Sequence, residues 1–412
     1  MTNKHGTIAE NTVESICYQL FGSDLVLRSP TLIEYSGPKE LTDILVVIDD
    51  TAVIIQSKSL AIDIADLNST KFERIRKRQE QAKRQLNTTL NAQRRNAYVR
   101  AVTPLGISFN LDWGCIRHKI GIITLSLSDN AYADPEFRFQ YPGLVEEHNG
   151  IVVHTFLIND LSRMTYELTT PADVLLYLSA RARCVNSGKF IIGNELDFLA
   201  LFKTQYPQIE KALSDPAYHV FITPGFWEDY RVSQQRKIQD RENRFRSSIL
   251  IDKLIRELCT SVEFSARQYG LPSQESALNY LSLIGKLNKL TRMERAKIGE
   301  KLIAKTKKTR TEKWGYFIYM SEFADTAYLF LILNEDDRKK RQVFLQFLCE
   351  QACHAAACSE LVGIATDGAK HKGHSFDAMV MNVAEIRMNT KPDPEFQIFS
   401  KPAYEKINEW GS

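Results

Sequence analysis

Two short apolar runs, residues 43–48 (DILVVI) and 51–59 (TAVIIQSKS), separated only by Asp49 and Asp50, limit this chain's fold more than any other feature. Aliphatic and β-branched residues crowd both runs, and a two-residue gap predicts a hairpin, although Asp-Asp is a poorer turn pair than Asn-Gly. Apolar side chains fall on both faces of both runs, so the hairpin belongs in a sheet covered on each side. Centring the turn on Asp49 and Asp50 sets Ile48 opposite Thr51 and Asp43 opposite Gln56. Opposed side chains of an antiparallel pair share a face, with Cβ atoms about 5 Å apart. Lys58 joins that face because side chains alternate with period two. Three polar groups thus converge at one end of an apolar hairpin.

The surrounding pattern is α/β. Thr7 and Glu10 match a capping box, and Val13, Ile16, Cys17, Leu20 and Phe21 make one buried stripe, which predicts a helix over 7–21. A turn-rich stretch follows (GSD, SGPKE), then the hairpin, then a long helix opened by Thr70 and Glu73 and running to about Asn96. Strands are expected at 99–109, 118–127 and 151–158. Thr170, Pro171 and Asp173 start a further helix through DVLLYLSARARCV. Beyond it the texture changes to charged helices over 229–310, strands at 314–321 and 326–333, a helix at 335–357, and strands at 361–366 and 376–383. At 412 residues the chain exceeds what one core usually serves. The predicted architecture is an N-terminal mixed sheet flanked by helices over 1–195, then a helical region and a small α+β domain over 196–412, with the boundary between 190 and 215.

The Asp43, Gln56 and Lys58 grouping suits phosphodiester hydrolysis. A carboxylate and an amide carbonyl are hard oxygen donors, which suit Mg²⁺ while it keeps several waters and borrows the rest of its shell from substrate phosphate. Such a metal polarises phosphate and acidifies bound water, and an ammonium beside it can orient the nucleophile and offset developing charge.

Asp43 at the head of one strand and Gln56-Ser57-Lys58 on its neighbour, preceded by a helix bearing an acid, resemble the PD-(D/E)xK, restriction-endonuclease-like nuclease superfamily. Gln56 in place of the second acid resembles the QxK variant of Mrr-like enzymes. The resemblance covers roughly residues 8–180. It implies a Mg²⁺-dependent endonuclease, with Mn²⁺ as a substitute, that leaves a 5′-phosphate and acts on DNA in preference to RNA. It also implies a helper acid on the first helix. Glu14, at the margin of the buried stripe, is the expected third metal ligand, with Glu40 as a fallback, because Glu10 is assigned to the cap.

The helix after the hairpin adds an independent signal. Residues 71–100 hold ten Lys or Arg against two acids, Glu73 and Glu80. That density is what phosphate-backbone binding needs, and Arg76, Arg78, Lys83 and Arg84 are the expected nucleic-acid contacts. Gln79 sits in the apolar stripe of the same helix, as a core amide or as a group supporting the site. A second basic set, from Arg231 to Arg246, is interleaved with acids and reads as a solvated face. A third (Lys301, Lys305, Lys307, Lys308, Arg310, Lys313) reads as a second nucleic-acid contact or a basic loop.

The overall charge of +3 announces nothing by itself. Seven unevenly spread cysteines argue against a disulfide framework. Cys349, Cys353, His354 and Cys358 share one predicted helix and read as buried small residues rather than a zinc site. No run of about 18 apolar residues occurs, so a cytoplasmic protein without membrane contact is expected. Antiphage defence is a fitting role for a nuclease of this kind, and the C-terminal half is expected to serve a homo-oligomer or a partner protein. Two rival readings stand beside the nuclease. One is a nuclease-fold nucleic-acid-binding subunit without turnover, which Gln56 favours and Lys58 opposes. The other places the activity in the C-terminal half, around the loop DGAKHKGHS with His371 and His374.

Overall fold

The two apolar runs form adjacent strands in a computed structural model. It describes residues 4–34, 37–60, 69–94, 98–102, 108–127, 145–191, 194–269, 274–309, 311–335, 337–368 and 376–393. In chain order the elements begin with α1 (Lys4–Phe21), β1 (Val26–Arg28), β2 (Thr31–Glu34), β3 (Gly37–Glu40), β4 (Ile44–Ile48), β5 (Thr51–Ser59) and α2 (Ser69–Arg94). Next come β6 (Tyr98–Val102), β7 (Ser108–Asp112), β8 (His118–Ser126), β9 (Val145–His148), β10 (Ile151–Leu157), α3 (Ile158–Met164) and α4 (Pro171–Ser187). After them lie β11 (Phe190–Ile191), α5 (Glu195–Ser214), β12 (Val220–Phe221), α6 (Phe226–Phe245), α7 (Ile249–Tyr269), α8 (Gln274–Asn288) and α9 (Arg292–Lys308). The chain closes with β13 (Trp314–Met320), β14 (Thr326–Leu333), α10 (Arg338–Ala355), β15 (Glu360–Asp367), β16 (Phe376–Asn382) and α11 (Val383–Asn389). No described helix is long and apolar enough to cross a membrane.

Two compact units emerge: residues 1–238 with 271–278, and residues 239–270 with 279–412. The expected boundary at 195 falls inside the first unit. The reason is a buried pair across that point: Arg181 of α4, 1% exposed, donates through Nε and Nη2 to the Glu195 carboxylate at 2.7–3.0 Å. Tyr177 also packs its ring on Phe198 and Phe202 of α5.

The first unit is built on a six-stranded sheet, order β1-β4-β5-β8-β10-β9. β1, β4 and β5 are antiparallel neighbours, β5, β8 and β10 run parallel, and β9 returns antiparallel. The hairpin register holds as expected, with Ile48 paired to Thr51 and Ile44 to Ile55. Asp49 accommodates the turn with φ 57°, and the Asp50 carbonyl accepts from the Arg117 and His118 amides at 2.9 and 3.1 Å. The strand β9 was not expected, although Asn149-Gly150 announces its hairpin, both residues having positive φ.

Helices cover both faces. A Cβ placed on Gly121 of β8 would lie 3.2 Å from Leu86 of α2, so α2 covers the Gly121 face at close approach. His154 and Phe156 of β10 pair with Ile122 and Thr124 and so point the other way, where they meet Arg181 of α4. Two local expectations fail. α1 begins at Lys4, so Thr7 and Glu10 lie inside the helix rather than at its start. The expected strand 99–109 is two strands, β6 and β7, which join β2 and β3 in a separate sheet, order β3-β2-β6-β7. The Gly- and Pro-bearing β2–β3 region reads as turns because strands of four residues carry little periodicity.

The second unit carries a four-stranded sheet, order β13-β14-β15-β16, in which β14 and β15 are parallel and bridged by α10. These elements fall where the sequence predicts them. Cys349 and Cys353 are fully buried in its core, with Leu345 and Leu348. A Cβ on Gly363 would stand 2.2 Å from Cys349 Sγ. Gly363→Ala is therefore expected to destabilise this unit by about 1–3 kcal/mol through overpacking, read as a lower midpoint in urea with an unchanged slope. A midpoint equal to the parent's would refute the close packing.

Candidate functional site

The site lies where β4 begins and β5 ends. The backbone ladder of this pair runs to Ile44 and Ile55, and beyond it the Asp43 carboxylate takes over by accepting the Ser57 amide at 2.7 Å. Thr42 locks the same corner, donating its hydroxyl to the Ile55 carbonyl at 2.8 Å. Leu41 is held by its carbonyl, which accepts from Thr89 of α2 at 2.7 Å. In the β5–β8 register Ile54 sits beside Gly121, Gln56 beside Ile123 and Lys58 beside Leu125. Alternation then turns Gln56 and Lys58 toward α2, the face that Gly121 presents.

Gln56 is buried, 2% exposed. Its Nε2 donates to Thr42 Oγ1 at 3.1 Å, which leaves its amide oxygen facing the Asp43 carboxylate oxygens at 3.3 and 3.2 Å. Two acceptors at that separation need a cation or a proton between them, or a half-turn of the amide. After the half-turn the Gln56 NH₂ would donate to Asp43 and its oxygen would accept from Thr42. The hydrogen bonding around the amide decides between the two orientations. The half-turned orientation satisfies both ends of the amide by itself, whereas the other does so only with a cation or a proton between the two oxygens.

Lys58 Nζ donates to the Ser57 carbonyl at 3.0 Å. Desolvation pushes the Lys58 amine below the usual lysine value, against the pull of Asp43, Glu10 and Glu40, while the Arg78 charge pushes it further down. Desolvation raises the Asp43 carboxyl, against the Ser57 hydrogen bond and Lys58, with Glu10 and Glu40 raising it further. Both shifts follow from bringing charge into a half-buried corner.

The expected helper acid is elsewhere engaged. Glu14 accepts from Tyr18 at 2.5 Å and from Arg28 at 2.8 Å, an ion pair that neutralises it. Glu10 and Glu40 are the exposed acids whose charges act on both Asp43 and Lys58. Glu10 lies inside α1 rather than at its start, so it is not held by the cap that the sequence assigns to it. Among the described residues no three His, Cys, Asp or Glu converge as a metal cluster. A cation at this corner would rest on Asp43 and the Gln56 oxygen, with water and substrate phosphate completing its shell, which is the sparse protein set that Mg²⁺ accepts.

The basic face of α2 divides. Arg78 lies on the flank whose charge reaches Lys58. Lys83, on the opposite flank, is 8% exposed and paired with Glu80 at 2.8 Å and with Glu146 of β9. Desolvation would lower its amine, and the bonds to Glu146 and Glu80 more than reverse that. Arg76 and Arg84 are exposed and line a shallow depression with Glu73, Lys77, Glu80 and Gln81. Gln79 is 4% exposed and its Nε2 finds no partner among the described residues, an unsatisfied donor two turns from Leu86 on the sheet-facing side. In the second unit His354 meets Thr390 at 3.0 Å, and its neighbouring cysteines are core residues. His371, His374 and Arg310 lie outside the described residues. Comparisons with protein-family models, curated proteins and solved structures gave no match to this chain.

Proposed function

We propose that the first unit is a Mg²⁺-dependent phosphodiesterase of the PD-(D/E)xK type that cleaves nucleic acid internally, DNA in preference to RNA. The mixed sheet with helices on both faces is the architecture that this reading requires. The observation that carries it is the convergence of Asp43 and Gln56, one end of the Gln56 amide lying 3.2–3.3 Å from the Asp43 carboxylate oxygens, with Lys58 on the same face. Asp43 and Gln56 would hold the metal, which when bound supplies charge to polarise the scissile phosphate. The lowered amine of Lys58 orients the attacking water and shares its proton more readily than an ordinary lysine. Arg78, exposed on α2, offers its charge to phosphate oxygens entering beside that helix.

A second reading has its own observation. If the Gln56 amide makes the half-turn, the corner satisfies itself without a cation, as expected of a nuclease fold that binds nucleic acid without cutting it.

Incubation with plasmid, single-stranded DNA and RNA in Mg²⁺ or Mn²⁺ tests the first reading. Cleavage is expected to vanish in Asp43→Ala and Lys58→Ala, and cleavage surviving both would sink the assignment. Binding without cleavage on every substrate would favour the second reading. Arg78→Ala is expected to weaken DNA binding several-fold and Lys83→Ala less, because Lys83 is already paired. Gln56→Glu bears on the metal directly: an added charge is expected to tighten Mn²⁺ binding about tenfold at pH 8, read by calorimetry. The gain should shrink on acidification, since two adjacent carboxylates resist ionising together. Unchanged Mn²⁺ affinity at pH 8 would remove Gln56 from the ligand set.

A further inference from the structure

The small sheet β3-β2-β6-β7 presents an outer face that nothing in the proposed chemistry uses. Along β6, Val99 and Ala101 are buried while Tyr98, Arg100 and Val102 point outward, Tyr98 52% and Val102 48% exposed. Leu32 and Leu111, paired with Val99, complete the inner side. The outer side therefore carries an aromatic ring, a guanidinium and an aliphatic group in line on an interior strand. Large apolar groups in such a row are unusual on a surface unless they meet something.

Register connects this face to the site. Arg100 pairs with Asn110 on one side and with Thr31 on the other, and Thr31 pairs with Glu40. Opposed residues of antiparallel strands share a face, so Asn110, Arg100, Thr31 and Glu40 form one row across the sheet. The row ends at the acid whose charge acts on Asp43 and Lys58. The chain then passes directly from Glu40 to Asp43, pinned by Leu41 N to the Pro30 carbonyl at 2.8 Å and by Ser29 N to the Asp43 carbonyl at 2.9 Å.

We infer that the outer face of β6 is a stacking platform for a single-stranded segment of nucleic acid, with Tyr98 under a base and Arg100 on the backbone, leading the strand toward Asp43. The inference rests on the proposed function and narrows its substrate to strands whose bases are unpaired at this point. A duplex hides its base faces, whereas a single strand can lay one on Tyr98 while Arg100 meets the adjoining phosphate. Base-on-aromatic stacking tolerates any sequence because every base has a π face.

The test is fluorescence anisotropy of the full chain with a labelled 20-nucleotide single strand and the corresponding duplex, in EDTA so that nothing is cut. Tyr98→Ala is expected to weaken single-strand binding roughly tenfold and leave duplex binding within twofold. Tyr98→Phe should bind like the parent, because stacking does not need the hydroxyl. Arg100→Ala should reduce the salt dependence of single-strand binding by roughly 0.7 in slope, one phosphate contact's worth. Parent-like single-strand binding by Tyr98→Ala, in a protein that cleaves DNA, would overturn the platform and leave the nuclease reading intact. Absence of binding to any oligonucleotide would overturn both. Loss of self-association in light scattering, with nucleic-acid binding unchanged, would identify the face as a contact between copies and overturn the platform.

Discussion

Replacing Asp43 by Asn is expected to abolish cleavage, by about a thousandfold or more, and at the same time to raise the melting temperature. The carboxyl is held above its usual range because burial outweighs the Ser57 amide and the Lys58 charge. A carboxyl raised in this way favours the folded state only while protonated, so the ionised group burdens the fold at every pH above its folded-state range. Asparagine keeps an oxygen for the Ser57 amide without that charge. Stabilising substitutions of this kind are commonly worth about 0.5–2 kcal/mol, each kcal/mol being about 2–4 °C for a unit of this size. The gain should be largest near neutral pH and fade as acid protonates Asp43 in the parent. Lys58→Met should behave in the mirror sense. Its amine is held low by burial, so the charged form burdens the fold below its folded-state range, and methionine removes that cost at neutral pH. Calorimetric scans between about pH 4 and 8 beside a cleavage assay would check both variants. A lower melting temperature for each, at every pH, would mean that the corner is an ordinary structural ion pair.

Arg181→Met should produce the largest loss of stability in the first unit, about 3–5 kcal/mol. Besides Glu195, the guanidinium reaches the Thr155 carbonyl at 3.3 Å and His154 Nδ1 at 3.1 Å, and it lies 4.4 Å from the centre of the Phe156 ring. Burial and the neighbouring guanidinium hold His154 neutral, well below the usual range, so its Nδ1 can accept. Methionine fills the volume but leaves Glu195, 5% exposed, with a buried charge and Tyr177 as its remaining named partner on α4. The double variant Arg181→Met/Glu195→Met should recover much of the loss, because no uncompensated charge stays inside. Equal instability of single and double variants would mean that packing, not charge, sets the effect. By the same logic a fragment ending at residue 195 should not fold cooperatively, since Tyr177 would lose Phe198 and Phe202.

The sequence by itself determined the local and the periodic. Alternating and continuous apolar runs placed the central hairpin and the four strands of the second unit, since burial on two faces leaves a composition that no loop shares. The cap at Thr170 was legible because its side chain accepts an amide only three residues away, the Asp173 N–H at 3.1 Å. The pairing of Asp43 with Gln56 followed from turn length alone, for period two and antiparallel geometry leave no freedom once the loop is set. Two legible signals were missed, Asn149-Gly150 and the capping box of Thr291 with Glu294.

The tertiary structure decided what depends on partners distant in sequence. Arg28 takes Glu14, fourteen residues away, and Glu146 takes Lys83, so two expected site residues are spent on ion pairs. Glu10, which the sequence assigns to a cap, gains its bearing on Asp43 because α1 packs on β5, whereas Glu40, three residues before Asp43, was legible as a nearby acid. The Arg181–Glu195 pair likewise moved the boundary between units beyond α5. A charge's neighbours are set by where the backbone brings elements together, and no local pattern of residues encodes that distance. Asp43, Gln56 and Lys58 were legible as a group because they share one hairpin. Their surroundings, which fix how readily the corner takes a cation, were not.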